Sequence, residues 1–312
     1  MSGNGHLVEC AANYSEGRRP EVIAAIAQSL REVEGIAVLD IDSDPDHNRC
    51  VITFAGAPEQ VGEAAVRSVG VAAQLINLND QDGVHPRIGA ADVIPFVPIR
   101  RITIIECGWI AHAVGAEIWN RFQIPVYLYG EAAILPERRN LPNVRQIGFE
   151  KLKVAVHTDV HRFPDFGQTE LHPTAGAVAV GARKILIAWN IELETDDLDL
   201  AKSIAKAIRE SDGGFPCVRA LGLTLASKGI TQVSINLTDY ETTPPHHVLP
   251  RVEQLAAEHG VAVRGTELIG LIPQKALDMA AEAGVDLRIM NLQPDSTIEA
   301  RLEAAGYEPH RA

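Results

Sequence analysis

Apolar positions along the chain follow two rhythms, and the order of those rhythms occurs twice. Residues His6–Ala12 predict a strand, closed by the polar turn Asn13-Tyr14-Ser15-Glu16-Gly17. From Pro20 to Glu32 the residues Val22, Ile23, Ile26 and Leu30 fall at helical spacing, and Pro20 suits a first helical turn. Past Gly35, two β-branched runs, Ile36–Asp42 and Cys50–Phe54, flank the polar stretch 43–48 and predict paired strands. A long helix is predicted over Pro58–Leu78, with Val61, Ala65, Val69, Ala72 and Ile76 on one face, then a strand over Val93–Ile99. The order is β-α-β-β-α-β. A helix near Thr103–Phe122 and a strand near Val126–Tyr129 follow.

Between about His157 and Ala182 neither rhythm is visible, and Pro164, Gly167, Pro173, Gly176 and Gly181 interrupt the chain. Phe163, Phe166 and Leu171 argue that this long loop is packed, and ordered loops of that length are usually functional. The first order then returns: strand Ile185–Ile191, helix Leu198–Glu210, strands Val218–Leu225 and Gln232–Leu237, helix Pro245–His259, strand Val261–Leu268. Helices near Pro273–Ala283 and Ser296–Ala305 complete the chain. The expected fold class is α+β, an α/β sandwich of two ferredoxin-like β-α-β-β-α-β subdomains, 1–181 and 182–312. The long loop joining them is a natural place for a ligand.

Composition narrows the function. The 312 residues are apolar and charged in globular proportions, and the net charge of −13 repels a phosphate backbone, so no nucleic-acid partner is expected. Cys10, Cys50, Cys107 and Cys217 form no CxxC pair and lie among apolar neighbours, as free thiols in a reducing cytoplasm do. Residues 1–6 lack the pattern of a signal peptide, and no apolar run is long enough to span a bilayer. A cytoplasmic protein with no membrane partner is expected.

The sharpest candidate for chemistry is Asp82-Gly83-Val84-His85-Pro86-Arg87-Ile88-Gly89. Pro86 biases His85 towards extended backbone, and Gly83 and Gly89 allow close backbone approach on either side. Histidine titrates near neutrality, as a general acid/base requires; a loop histidine that only caps a turn is the plain alternative. Asp40 and Asp42 share one face of a predicted strand, where a carboxylate could orient a histidine or stabilise a cation, or simply end a strand. His157, His161, Asp165 and His172 offer a possible metal set, but Pro164 stops any helix that would carry the spacing, and no metal is expected. Gly176–Lys184 lacks the Gly-Lys-Ser/Thr of a P-loop, and neither a G-x-S-x-G elbow nor a Rossmann glycine pattern is present.

Several separate blocks, in order and over nearly the whole chain, resemble the glutamate formiminotransferase (formimidoyltransferase) family. They are Leu7-Val8-Glu9-Cys10 with Asn13-Tyr14-Ser15-Glu16-Gly17; Leu39-Asp40-Ile41-Asp42 with Asn48-Arg49; His85-Pro86-Arg87-Ile88-Gly89-Ala90 with Asp92-Val93. Pro125–Ala132, Pro164-Asp165-Phe166-Gly167 and Gly181-Ala182-Arg183-Lys184 complete the set.

The resemblance implies a ligand tunnel between the two subdomains, a homodimer, and transfer of a formimino group from N-formiminoglutamate to tetrahydrofolate, the folate co-substrate. It makes His85 the general base and Asp42 the substrate-side carboxylate. The folate-contact segment becomes Gly167, Gln168, Thr169, Glu170, Leu171, His172, Pro173, Thr174, Ala175 and Gly176. Some members carry an aromatic residue where this chain has Ala175. Arg87, Arg183 and Lys184 become candidates for the carboxylates of glutamate or the folate tail, with solvated surface charge as the alternative. In mammals the family's domain is fused to a cyclodeaminase, so this chain is expected to release 5-formiminotetrahydrofolate to another protein. A formylglutamate-using transferase, a non-catalytic folate carrier and a metal hydrolase are the competing readings.

Overall fold

Strand β1 (Leu7–Tyr14) leads into helix α1 (Pro20–Arg31), which starts on its proline and turns Val22, Ile23, Ile26, Ala27 and Leu30 into the core. The protein is described by a computed structural model, which covers residues 5–45, 47–83, 86–225 and 228–308. It divides into two units, one ending at Arg183 and the other beginning at Lys184, and each combines helices with a sheet, so the fold is α+β.

In the first unit β2 (Ala37–Asp44), β3 (Arg49–Gly56), helix α2 (Pro58–Leu75) and β4 (Ala91–Arg100) follow α1. Helix α2 stops at Leu75, three residues short of its expected end, because Ile76 is extended and the Leu78 N–H is drawn to the Thr174 carbonyl (2.9 Å). Helix α3 (Ile104–Phe122) opens with a capping box in which Thr103 and Glu106 satisfy each other's backbone N–H. β5 (Val126–Gly130), the short helices α4 (Leu141–Arg145) and α5 (Gly148–Ala155), and β6 (Val178–Ala182) complete the unit.

The six-stranded sheet has the order β2-β3-β1-β4-β6-β5. The first four strands pair antiparallel; β6 pairs parallel with both β4 and β5. Two features differ from the expected ferredoxin-like subdomain, whose sheet is antiparallel: this sheet is mixed, and the end of the stretch without visible rhythm is a strand inside it. β6 reads Val-Ala-Val-Gly-Ala and is buried throughout. A strand covered on both faces has no polar alternation to reveal it.

The second unit runs β7 (Ile187–Leu193), α6 (Leu198–Ile208), β8 (Val218–Leu225), β9 (Ile230–Leu237), α7 (Pro245–Ala257), β10 (Val263–Ile269), then α8 (Gln274–Glu282) and α9 (Ile298–Ala304). Its four strands are all antiparallel, in the order β10-β7-β9-β8. Each unit has its own apolar core, the second built around Trp189, Ile191, Ile204, Ile235 and Val252.

Candidate active site

Alternation on β3 turns Cys50, Ile52 and Phe54 into the core and leaves Arg49, Val51 and Thr53 on the other face. The register with β2 pairs Thr53 with Asp40, Val51 with Asp42 and Arg49 with Asp44, so three aspartates and an arginine share that face. Burial and the neighbouring Arg145 guanidinium push the Arg49 pKa down, while Asp92, Asp42 and Asp44 oppose that shift. Arg49 also donates to Asn13 Oδ1 at 3.1 Å.

The strand ends above this face are tied together. Ser15 Oγ donates to the Gly89 carbonyl (2.7 Å), and buried Glu16 accepts the Arg18 and Arg19 N–H groups (2.9 Å each) at the start of α1. Gly17 donates its N–H to Asn48 Oδ1 (3.0 Å), and a Cβ at Gly17 would lie 2.2 Å from the Asp44 carbonyl oxygen. Asp92, 2% exposed, accepts from the Ile88 N–H (2.7 Å) with one oxygen and from Arg145 (3.0 Å) with the other. Arg87 Nη2 donates to the carbonyls of Gln81 (2.7 Å) and Leu78 (3.3 Å) and to Glu150 (3.1 Å), while its buried Nε has no hydrogen-bond partner among the described residues. Ser15, His47, Asn48, Arg49, Gln81, Arg87 and Asp92 line one small cleft. His85 and Val84 lie outside the described residues.

The segment 167–176 has two parts. Gly167, Gln168, Thr169 and Glu170 are exposed; Leu171, Ala175 and Gly176 are buried. His172 and Gly176 exchange backbone hydrogen bonds of 3.0 Å, closing a tight turn, and His172 Nδ1 accepts the Thr174 (3.3 Å) and Ala175 (3.0 Å) N–H groups. The turn is stitched to the His-Pro-Arg block: Ala90 N–H reaches the Ala175 carbonyl, and Ala177 N–H the Ile88 carbonyl, at 2.9 Å each. Gly89 and Gly176 stand where these backbones meet; a Cβ would lie 1.9 Å from the Ala177 oxygen at the first and 2.2 Å from the Ile88 oxygen at the second. Two blocks nearly ninety residues apart therefore form one continuous wall.

The histidines and acids of the supposed metal set are occupied differently. Asp165 accepts from Arg138 (2.7 Å) and the Leu128 N–H (2.7 Å), and His161 faces Glu137 (3.2 Å). Among the described residues no three His, Cys, Asp or Glu side chains gather to hold a metal ion. Burial pushes the Cys50 and Cys107 thiols up to about 12, so neither is a ready nucleophile. Among the described residues no helix is long and apolar enough to cross a membrane.

Residues 7–183 match the Formiminotransferase domain, N-terminal subdomain, and residues 188–306 match the Formiminotransferase domain. The chain belongs to the formiminotransferase family. Its relatives include the glutamate formimidoyltransferase of Streptococcus pyogenes serotype M1, 41% identical over 88% of this chain and 92% of that protein. The glutamate formimidoyltransferase of Thermoplasma acidophilum is 38% identical over 96% of this chain and 98% of its own length. The formimidoyltransferase-cyclodeaminase of Rattus norvegicus is 42% identical over 88% of this chain but only 52% of the longer rat protein.

Within this formiminotransferase chain, Asp42 and Arg87 belong to the first unit, on the aspartate-bearing face and in the cleft wall respectively. Arg183 ends that unit, half-buried, with its N–H on the Phe96 carbonyl (3.1 Å). Lys184 begins the second unit and pairs with Asp239 at 2.5 Å. The sequence singled out Asn48, Arg49, Ser15 and Asp92 only as members of family-like blocks, and missed Gln81, Arg145 and Glu150 altogether. The last three carry no local signal: an ordinary polar residue after a helix and two charges on short helices become partners of the cleft only through long-range contacts.

Proposed function

We propose that this chain transfers the formimino group of N-formimino-L-glutamate to N5 of tetrahydrofolate, giving 5-formiminotetrahydrofolate and L-glutamate. The observation that carries the reading is the likeness, at 38–41% identity over 88–96% of the chain, to proteins that are glutamate formimidoyltransferases. The N5 lone pair attacks the formimino carbon, forming a new C–N bond; the bond from that carbon to the glutamate nitrogen then breaks. The first nitrogen must lose a proton and the second must gain one, and His85 performs both transfers in turn. The positive charge of the protonated formimino group, carried on nitrogen in the tetrahedral adduct, is stabilised by the Asp42 carboxylate on the face it shares with Asp40 and Asp44.

Folate is read by the segment 167–176, whose exposed residues Gln168, Thr169 and Glu170 are open to a ligand and whose buried turn adjoins the block that contains His85. Arg87 is proposed for a carboxylate: it lines the cleft and keeps one buried donor without an acceptor among the described residues. Arg183 and Lys184 remain proposals of the same kind on resemblance alone. A ferredoxin-like core for each unit is supported by the matching strand orders β2-β3-β1-β4 and β8-β9-β7-β10. The folate tunnel, the homodimer, the cytoplasmic setting and catalysis without a metal complete the reading, on resemblance.

The test is product formation by purified protein from N-formimino-L-glutamate and tetrahydrofolate, without added metal or nucleotide. Turnover with a formyl donor and none with the formimino donor would change the substrate assigned; turnover with neither would end the transferase reading.

A further inference from the structure

We propose that Asn48 is a positioning residue for the reaction, fixing the segment 81–83 that leads into His85. Three segments converge on it. Its Oδ1 accepts the Gly17 N–H at 3.0 Å, its Nδ2 donates to the Asp82 carbonyl at 2.8 Å, and its own carbonyl accepts from Gln81 Nε2 at 2.9 Å. The residue is 7% exposed, and its backbone is left-handed, with φ of 48°. Asparagine is among the few non-glycine residues that adopt that conformation readily.

The glycines around it make the close approach possible. A Cβ at Gly17 would lie 2.6 Å from the Arg49 nitrogen, and one at Gly83 would lie 2.5 Å from the His47 oxygen. Gln81, held by Asn48, is in turn the acceptor for Arg87 at 2.7 Å, so the chain on either side of the dipeptide 84–85 is tied back to one point. Asn48 itself need touch neither substrate. A general acid/base must be held within hydrogen-bonding reach of the nitrogens it serves, and a small misplacement lowers the rate more than it lowers binding.

The inference rests on His85 being the base of the proposed reaction, and the experiment separates the two. Single-turnover rates and substrate affinities are measured for wild type, Asn48→Gly, Asn48→Asp, His85→Ala and both double variants. Asn48→Gly keeps the left-handed backbone and removes the clamp; Asn48→Asp keeps the acceptor for Gly17 but replaces the donor to Asp82 with a charged oxygen facing that carbonyl, and serves if the glycine variant does not fold. Each should slow turnover about 10–100-fold, the usual cost of misplacing a catalytic group, while the dissociation constants of both substrates move less than about threefold. In the His85→Ala background the same changes should slow the residual reaction less than about threefold, since residues that act as a unit are not additive. Undiminished turnover in the Asn48 variants, or an equal loss with and without His85, would overturn the positioning role. Absence of turnover in the wild type, or near-normal turnover in His85→Ala, would remove the proposed function and this inference with it.

Discussion

The two units answer the same backbone demand at corresponding turns with different residues. In the first, Asp44 pairs with Arg49 across a four-residue loop; in the second, Leu225 pairs with Ile230 across a loop of equal length. The residue before the second strand is left-handed in both: Asn48 at φ 48° and Gly229 at φ 65°. Among the described residues nothing lies within 4 Å of where a Cβ on Gly229 would be, whereas Asn48 is buried and spends both ends of its amide on neighbouring segments. Glycine satisfies such a turn without strain. An asparagine there is explained by its side chain, which in the first unit gathers the loops around the cleft. The contrast extends to charge. The first unit buries the Arg138–Asp165 pair, with side chains 4% and 6% exposed, while Lys184 of the Lys184–Asp239 pair in the second is 56% exposed.

The largest effect that would sharpen this contrast belongs to His85. His85→Ala should lower turnover about 10²–10⁴-fold while the folate dissociation constant moves less than about tenfold, or ~1.4 kcal/mol. Single-turnover rate and calorimetry on one preparation check both; parallel losses of turnover, binding and thermal stability would make His85 a structural residue.

Next comes the buried pair. Arg138 holds Asp165, two backbone carbonyls and the face of Tyr127, its guanidinium 5.1 Å from the ring centroid. Arg138→Met strands a buried carboxylate and should cost about 3–5 kcal/mol of stability. Removing the exposed partner of the other pair, in Lys184→Met, should cost about 0–1 kcal/mol. Denaturant unfolding compares them, and equal losses would break the distinction between the units.

A smaller effect is expected at the turn of the second unit. Gly229→Asn should change stability by no more than about 1 kcal/mol, the scale of left-handed strain in a residue that tolerates it, and should leave turnover unaltered. A loss of turnover as large as that in Asn48→Gly would mean that the two turns are equivalent after all.

The smallest effect is a pH dependence. Burial lowers the His172 pKa, and the neutral ring accepts two backbone N–H groups. The unfolded chain therefore binds the proton more readily, so this contribution to stability is fully present above the unfolded value, about 6.5, and is lost as pH falls through the lowered folded value. Thermal melts between pH 7.5 and 5.5 should fall more steeply for wild type than for His172→Asn, whose side-chain oxygen can accept the same N–H groups without titrating. Equal slopes would remove His172 from the account.

Local pattern determined much of this protein. The helices α1, α3, α6 and α7 and the strands β1, β3 and β9 are written in apolar spacing and in breakers such as Pro20 and Gly35, because those signals act within a few residues of where they stand. The ordered blocks of residues marked the family for the same reason: each is short and contiguous. What only the tertiary structure decided is what depends on neighbours far along the chain. β6 is a strand because β4 and β5 flank it, and its five small apolar residues carry no rhythm to say so. The turn at 172–176 meets Ile88 and Ala90 through backbone hydrogen bonds, which no side-chain pattern encodes. In the sequence Asn48 only ends the polar stretch 43–48; its burial, and the convergence of Gly17, Gln81 and Asp82 upon it, exist only once the strand ends are brought together. Periodicity reports which face of an element is buried, but it carries no information about which distant segment does the burying.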